Sequence, residues 1–189
     1  MNNKTRTWTI DPSHSNIEFK IRHMVITNVS GHFKQFESSA ITTGDDFATA
    51  KIRFTAQIAS IETGMAYRNG HLMSDDFFNA EKFPELVFEG TGMEKISDEE
   101  FILHGNLTIR DVSKPIHLKV MYGGMLKDFY GNHRAGFEIK GSIKRKDFGL
   151  QWDAFTEAGG AVVSNEVRIE CNVQFITPVL TVVSTEATA

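Results

Sequence analysis

The sequence contains a single cysteine, Cys171, among its 189 residues. An intramolecular disulfide therefore cannot form, and the cysteine content gives no sign of an oxidising compartment. No apolar run approaches the roughly 20 residues that a membrane-spanning helix needs. The first residues, MNNKTRTWTID, also lack the apolar stretch of a signal peptide. We therefore expect a cytoplasmic protein without an integral membrane segment, or a periplasmic one if a signal peptide has been removed.

Positive charge is not in excess, because 20 Lys and Arg residues face 24 Asp and Glu residues, for a formal net charge of −4. Nucleic acids demand concentrated positive charge, so nucleic-acid binding is disfavoured. Tyrosine and tryptophan are also scarce, with three and two residues against fifteen phenylalanines. Phenylalanine has no polar group to satisfy. The imbalance indicates a large apolar interior, which an ordinary filled core would also explain.

Apolar and polar residues alternate along most of the chain. In residues 15–23, Ile17, Phe19 and Ile21 fall on one face and charged residues fall on the other. Strands with one dry face and one wet face are typical of an antiparallel sheet. Their length and the glycines within them favour a strongly curled sheet, closed into a tall barrel. The same period of two recurs at residues 51–58, 85–90, 101–109, 116–122, 135–143 and 163–175.

One long stretch, RNGHLMSDDFFNAEKFP at residues 68–84, breaks the alternation. Residues 66–73 can form one or two helical turns. Ser74 is a candidate N-cap of a second short helix, with Asp75 and Asp76 favourably placed in its first turn. Adjacent carboxylates at a helix start are normally solvated, so this structural interpretation is preferred over a general acid/base pair.

The phenylalanines of this stretch, Phe77, Phe78 and Phe83, cannot all lie on one side of so short a helix. Some of them must contact whatever the segment covers, which predicts a cap over an apolar space. Arg68 and His71 lie in the same stretch and are the candidate partners of a ligand's polar head. A purely structural alternative is that Arg68 pairs with one of the neighbouring acids and holds the cap in place.

The histidines and the cysteine show no spacing that predicts a metal site, because no two histidines lie at i,i+2 or i,i+4. His104 and His117 fall on polar faces and are interpreted as solvated. Cys171 falls on an apolar strand face and is interpreted as a small buried hydrophobic residue, not a nucleophile. No nucleotide-binding or hydrolase motif is present.

Six stretches, taken in this order, resemble the YceI-like family of polyisoprenoid-binding proteins. They are WTIDPSHSNIEFKIRHMVITNVSGHF (8–33), YRNGHLMSDDFF (67–78), KFPELVFEG (82–90), GNLTIRDVSKPIHL (105–118), RAGFEIKGSIKRKDFGL (134–150) and SNEVRIECNVQF (164–175). One position departs from the family's pattern, because Asn69 stands where the family more often has Asp.

The resemblance implies an all-β fold, an extended lipocalin-like antiparallel β-barrel of about eight strands with a short helical cap near residues 65–80. It places one domain at residues 1–178, and the small and polar residues 179–189 are expected to be a frayed tail. It further implies a homodimer, a pore that holds an amphiphile with an isoprenoid tail of polyprenyl or quinone type, and no resident cofactor.

The apolar faces of the strands and of the cap supply the candidate tail-binding residues. These are Ile17, Phe19, Ile21, Phe33, Ile52, Phe54, Leu72, Phe77, Phe78, Phe83, Leu86, Phe88, Leu107, Leu118, Phe137, Ile139, Phe148, Trp152 and Ile169.

Three functions remain open at this level. The first is a non-catalytic carrier of an isoprenoid-like lipid. The second is an isomerase or hydrolase that acts on an apolar substrate in the same pore, for which His23, His71 and Asp147 are the candidate inward-facing titratable groups. The third is a barrel with a filled core that binds other proteins.

Overall fold

The computed structural model describes residues 5–155 and 162–177, so the predicted tail at 179–189 lies outside the described residues. Among these residues the only α-helix is α1 (Ala66–Met73), and no helix is long and apolar enough to cross a membrane. The strands are β1 (Thr5–Ile10), β2 (Asn16–His23), β3 (Thr27–Phe33), β4 (Phe36–Thr43), β5 (Asp46–Gln57), β6 (Ile61–Glu62), β7 (Glu85–Lys95), β8 (Glu100–Ile109), β9 (Val112–Lys127), β10 (His133–Lys144) and β11 (Val163–Thr177).

Eight of the strands form a closed antiparallel barrel in the order β1-β4-β5-β7-β8-β9-β10-β11, and β1 closes the ring by pairing with β11. The remaining strands continue the wall at one end, where β2 pairs with β11, β3 with β2, and β6 with β3. The predicted all-β barrel of about eight strands with a short helical cap is therefore confirmed.

Kinks explain why eleven strand segments build an eight-stranded wall. β1 and β2 lie on the same edge of β11, since Ile10 is opposite Phe175 and Asn16 is opposite Asn172. Between them the 3-10 turn Pro12–His14 interrupts the ladder. Similar breaks separate β3 from β4 and β5 from β6. The two segments of each pair therefore count as one interrupted strand of the wall.

Glycines in the wall leave room for aromatic rings on the neighbouring strand. A Cβ atom at Gly31 would lie 2.3 Å from Cζ of Phe19, its cross-strand partner. A Cβ at Gly105 would lie 2.3 Å from Cζ of Phe88. Any larger residue at either position would have to displace a ring in the barrel interior. The in-strand glycines therefore serve packing as well as the curvature expected from the sequence.

The end of the barrel at the β4–β5 turn is filled by aromatic side chains. The ring of Phe47 lies 4.9 Å from Trp8, 4.8 Å from Phe137 and 6.1 Å from Tyr122, measured between ring centroids. The partners of Phe47 belong to β1, β9 and β10 on different sides of the wall, so these rings close the lumen. We call Trp8, Phe47, Tyr122 and Phe137 the aromatic plug.

Candidate ligand-binding cavity

A cavity of about 430 Å³ occupies the part of the lumen between the aromatic plug and the cap segment, residues 63–84. Its size lies within the range of small-molecule binding pockets. The strand faces that point inward make its wall apolar, as the alternation predicts. The tail candidates that line it are Ile17, Phe19, Ile21, Phe33, Ile52, Phe54, Leu72, Phe77, Phe78, Leu86, Phe88, Leu107, Leu118, Ile139, Trp152 and Ile169.

Three tail candidates lie elsewhere. The Phe83 ring lies 5.2 Å from Lys82 Nζ and 5.7 Å from Cζ of Arg110, which is in the β8–β9 turn, and it is not in the cavity wall. Phe137 belongs to the aromatic plug, next to Phe47. Phe148 ends the 3-10 turn Arg145–Phe148 and is buried in the core without lining the cavity.

Other lining residues were not named as tail candidates but lie on the strand faces that the alternation predicts to be apolar. The period of two was therefore sufficient to predict that they point inward. Leu103, Ile116 and Val173 are examples. Cys171 also lines the cavity, and burial raises the pKa of its thiol to about 11. A thiol with so high a pKa is a poor nucleophile, which agrees with its interpretation as a small hydrophobic residue.

Arg145 is a structural residue that sequence reasoning missed. Its side chain is 2% exposed, and its Nη1 donates to the carbonyl oxygens of Leu150 at 2.6 Å and Trp152 at 2.7 Å. Its Nη2 donates to Asp153 Oδ1 at 2.6 Å, and its Nε donates to the carbonyl of Ser164 at 3.0 Å. These bonds hold the loop that places Trp152 in the cavity wall. The local sequence KRKD gives no sign of burial, because a run of charges normally faces solvent.

A polar network anchors the start of α1 to the barrel. Arg68 Nε donates to Thr63 Oγ1 at 2.8 Å, and its Nη2 donates to the Thr63 carbonyl at 2.5 Å. Asn69 Oδ1 accepts from the Thr63 backbone N–H at 2.9 Å and from the Thr63 hydroxyl at 2.6 Å. Arg68 is thus held in one orientation at the cavity wall, which it lines.

The amide of Asn69 links Thr63 to Glu62, because it accepts and donates at the same time. While its oxygen accepts from Thr63, its Nδ2 donates to Glu62 Oε1 at 3.0 Å. A carboxylate could not donate, and would face the carboxylate of Glu62. Hydrogen bonds from Lys34, from Asn69 and from the backbone N–H of Gly64 lower the pKa of Glu62 to about 2. The acid therefore stays charged and keeps the network intact at neutral pH.

One prediction about the cap segment, and one alternative that the sequence left open, are wrong. Ser74 does not begin a second helix; it ends α1, and its hydroxyl donates to the carbonyl of His71 at 2.7 Å. Arg68 does not pair with the neighbouring acids either. Asp75 Oδ1 lies 3.1 Å from Nη2 of Arg110, and Asp76 Oδ2 lies 2.9 Å from Nε2 of His71. The β8–β9 turn brings Arg110 to Asp75, and the return of the chain after α1 brings Asp76 to His71. The spacing of these residues in the sequence predicts neither contact.

His71 lies between the cap and the cavity. Its ring meets Phe77 and Trp152 edge-on, with centroid distances of 5.1 Å to each, and it lines the cavity. Edge-to-face contacts of this kind fix ring orientation. Together with the bond to Asp76, they hold the imidazole at the cavity entrance. Arg68 and His71, the predicted head-group candidates, are therefore brought to the same wall.

Of the catalytic candidates, His23 lines the cavity, whereas Asp147 is exposed on the turn before Phe148 and does not reach it. His104 and His117 are not simply solvated, because their Nδ1 atoms lie 2.8 Å apart on the outer face of the barrel. Within residues 5–155 and 162–177, no three His, Cys, Asp or Glu side chains are arranged to hold a metal ion.

Large apolar side chains are exposed beside the entrance. Tyr67 lines the cavity yet is 84% exposed, and Ile26, in the β2–β3 turn next to His23, is 82% exposed. Val25 in the same turn is also exposed and has φ 65°, an unfavourable conformation for a β-branched residue. The apolar surface of the cavity therefore continues onto the outside at this end, whereas the aromatic plug closes the other end.

Residues 8–175 match the family model of the YceI-like domain. The UPF0312 protein of Photorhabdus laumondii is 40% identical over 144 residues, which cover 76% of this chain and 74% of that one. BcnA of Burkholderia cenocepacia has a similar fold, with a TM-score of 0.76, 19% identity, and coverage of 87% of this chain and 98% of that one. A polyisoprenoid-binding domain from Saccharophagus degradans, implicated in plant cell wall breakdown, aligns with a TM-score of 0.64 and 16% identity over 90% of this chain and 98% of that domain.

Proposed function

This chain belongs to the YceI-like family, and from that premise we propose that it is a non-catalytic binding protein for an amphiphile with an isoprenoid-like tail. The observation that carries the proposal is the apolar cavity of about 430 Å³, closed at one end and opening beside exposed apolar side chains at the other. A polyisoprenoid-binding domain with the same fold supports the choice of tail chemistry.

The cavity wall supplies the binding energy. Each methylene group that leaves water for an apolar site contributes about 0.8 kcal/mol, and ordering of the ligand and of the cap offsets part of this gain. Rings from the wall and from the cap, such as Phe54 and Phe78, both line the space that the tail would fill. The tail needs no specific polar partner along its length.

The polar end of the ligand is assigned to Arg68 and His71, whose side chains line the cavity beside the entrance. Nη1 of Arg68 remains to donate to a phosphate or carbonyl oxygen, and Nδ1 of His71 can donate when it carries a proton, because the other ring nitrogen bonds to Asp76. The network through Thr63 holds Arg68 in place before any ligand arrives. Such preorganisation lowers the entropic cost of binding. A carrier role in the cytoplasm as a homodimer completes the proposal, and light scattering at micromolar concentration tests the dimer against the monomer mass of 21.2 kDa.

Solvent extraction of the purified protein, followed by mass spectrometry, is the direct test. We expect an apolar amphiphile in the extract and a lower melting temperature after it is removed, because a ligand that binds only the folded state stabilises that state. Incubation with the recovered ligand distinguishes a binder from an enzyme, since a binder returns it chemically unchanged. An empty extract together with no thermal shift on adding farnesol or geranylgeraniol would refute the proposal.

A further inference from the structure

The lumen of the barrel has two compartments that differ in packing. The cavity occupies the compartment near α1, and Leu103 and Phe175 are among its lining residues. Behind them, the Phe137 ring lies 6.1 Å from Phe175 and 4.8 Å from Phe47. We propose that the aromatic plug acts as a ruler that limits the isoprenoid tail to about three to four isoprene units. This inference rests on the proposed function and specifies its ligand.

Packing makes the aromatic plug a firm stop. Trp8 is fully buried, and its Nε1 donates to Thr42 Oγ1 at 2.9 Å, which fixes the indole. Phe47 and Phe137 are also buried, and their edge-to-face contact joins β5 to β10 across the lumen. Protein interiors are packed as densely as organic crystals. A tail could pass this layer only by forcing the rings out of their positions.

The cavity volume sets the scale of the tail. An apolar cavity of about 150 Å³ in a protein interior holds one benzene molecule. The cavity of about 430 Å³ is close to three times as large. On that scale it holds about 18 carbon atoms, which corresponds to a tail of three to four isoprene units. A much longer tail would leave carbons in water at the entrance, where they add little to affinity.

A series of prenols tests the ruler. Geraniol, farnesol, geranylgeraniol and solanesol contain two, three, four and nine isoprene units, and their affinities for the delipidated protein can be compared by calorimetry in matched detergent. We expect affinity to rise up to geranylgeraniol and to gain nothing more with solanesol. Equal gains per unit up to solanesol would overturn the ruler but leave the proposed function intact. Failure of every prenol to bind would overturn both.

A substitution in the aromatic plug and one in the cavity wall should shift the preferred prenol length in opposite directions. Phe47→Leu opens space within the aromatic plug, and we expect the preferred prenol to lengthen. The ratio of solanesol to farnesol affinity should rise about tenfold. Leu103→Phe places a larger side chain in the cavity wall, and we expect the preferred prenol to shorten. Phe148→Ala is the control for lost stability, because Phe148 is also buried but neither belongs to the aromatic plug nor lines the cavity. The ruler is wrong if Phe47→Leu and Leu103→Phe leave the order of affinities unchanged, or if Phe148→Ala shifts it as Phe47→Leu does.

Discussion

Arg145 donates a hydrogen bond of 2.7 Å to the carbonyl of Trp152, which joins a buried cation to a residue of the cavity wall. The same guanidinium binds the side chain of Asp153 and the carbonyl of Leu150. Arg145 therefore holds the loop after β10 at three residues, and Lys146 holds it further through Asp153. The indole can lie against His71 and Phe77 only because this loop is held in place.

Removing this cation should destabilise the fold. Arg145→Ala leaves the carbonyls of Leu150 and Trp152 without their donor and leaves Asp153 with Lys146 alone, and we expect a loss of roughly 3 kcal/mol in the free energy of unfolding. Denaturant unfolding followed by tryptophan fluorescence measures it. Arg168→Ala is the control, because Arg168 is an exposed arginine of the wall and should cost less than ~0.5 kcal/mol. A loss below about 1 kcal/mol for Arg145→Ala would show that solvent replaces these bonds.

The inward faces of the strands should tolerate charge far less than the outward faces. Phe54→Asp places an uncompensated carboxylate in the cavity wall, and we expect either failure to fold or a loss of more than ~2 kcal/mol. Glu138→Ala changes an exposed side chain and should stay within ~0.5 kcal/mol. Thermal unfolding of the two variants decides the matter. Greater damage from Glu138→Ala would mean that the strand faces are inverted.

Loss of the cap's polar and apolar groups should have separable effects on ligand loading. Phe78→Ala removes tail contact and should reduce the amount of ligand recovered by extraction. Arg68→Ala and His71→Ala should reduce it only for ligands with a phosphate or carbonyl head, and should leave a plain hydrocarbon unaffected. Arg53→Ala, on the outer wall, is the matched control. Loading equal to that of the unmodified protein in all three cap variants would make residues 63–84 a connection without a binding role.

Acid should weaken the fold through a small set of carboxylates. Burial by itself would raise the pKa of Asp11, but hydrogen bonds from Arg134, His14 and the backbone of Ser13 outweigh it and lower the pKa from 3.8 to about 2. The pKa of Glu62 is lowered from 4.5 to about 2. Below their ordinary pKa values the unfolded chain takes up protons that the folded protein does not. Stability is therefore fully present above about pH 5 and is lost as the pH falls from there towards 2.

A pH series of denaturant midpoints measures this loss. Asp11→Asn removes one of the two groups, so the midpoint should fall less steeply with pH between 4 and 2 than in the unmodified protein. Glu138→Ala removes an exposed carboxylate and should leave the slope unchanged, which makes it the matched control. The assignment to Asp11 is refuted if the slope of Asp11→Asn equals that of the unmodified protein.

Local patterning was sufficient for the direction in which most side chains point. In a strand, successive side chains face opposite sides, so the alternation around Phe19, Phe54 and Ile139 placed them inward before any tertiary contact was known. The non-alternating stretch at residues 68–84 likewise marked the cap, because large apolar residues without a period of two must cover another surface. These features depend on neighbours in the chain, and the sequence by itself determined them.

Depth along the barrel was decided only by the tertiary structure. Phe137 and Ile139 share one face of β10, yet Phe137 packs in the aromatic plug and Ile139 lines the cavity, because their cross-strand neighbours differ. Arg145 became a buried anchor because the chain folds back directly after β10 and brings the carbonyls of Leu150 and Trp152 to its guanidinium. Arg68 bonds to Thr63, five residues before it, and not to the acids beyond α1, because the start of the helix turns back onto the end of β6. A period of two fixes which face a residue occupies, whereas the contacts that separate plug from cavity come from strands far apart in sequence, which only the closed barrel brings together.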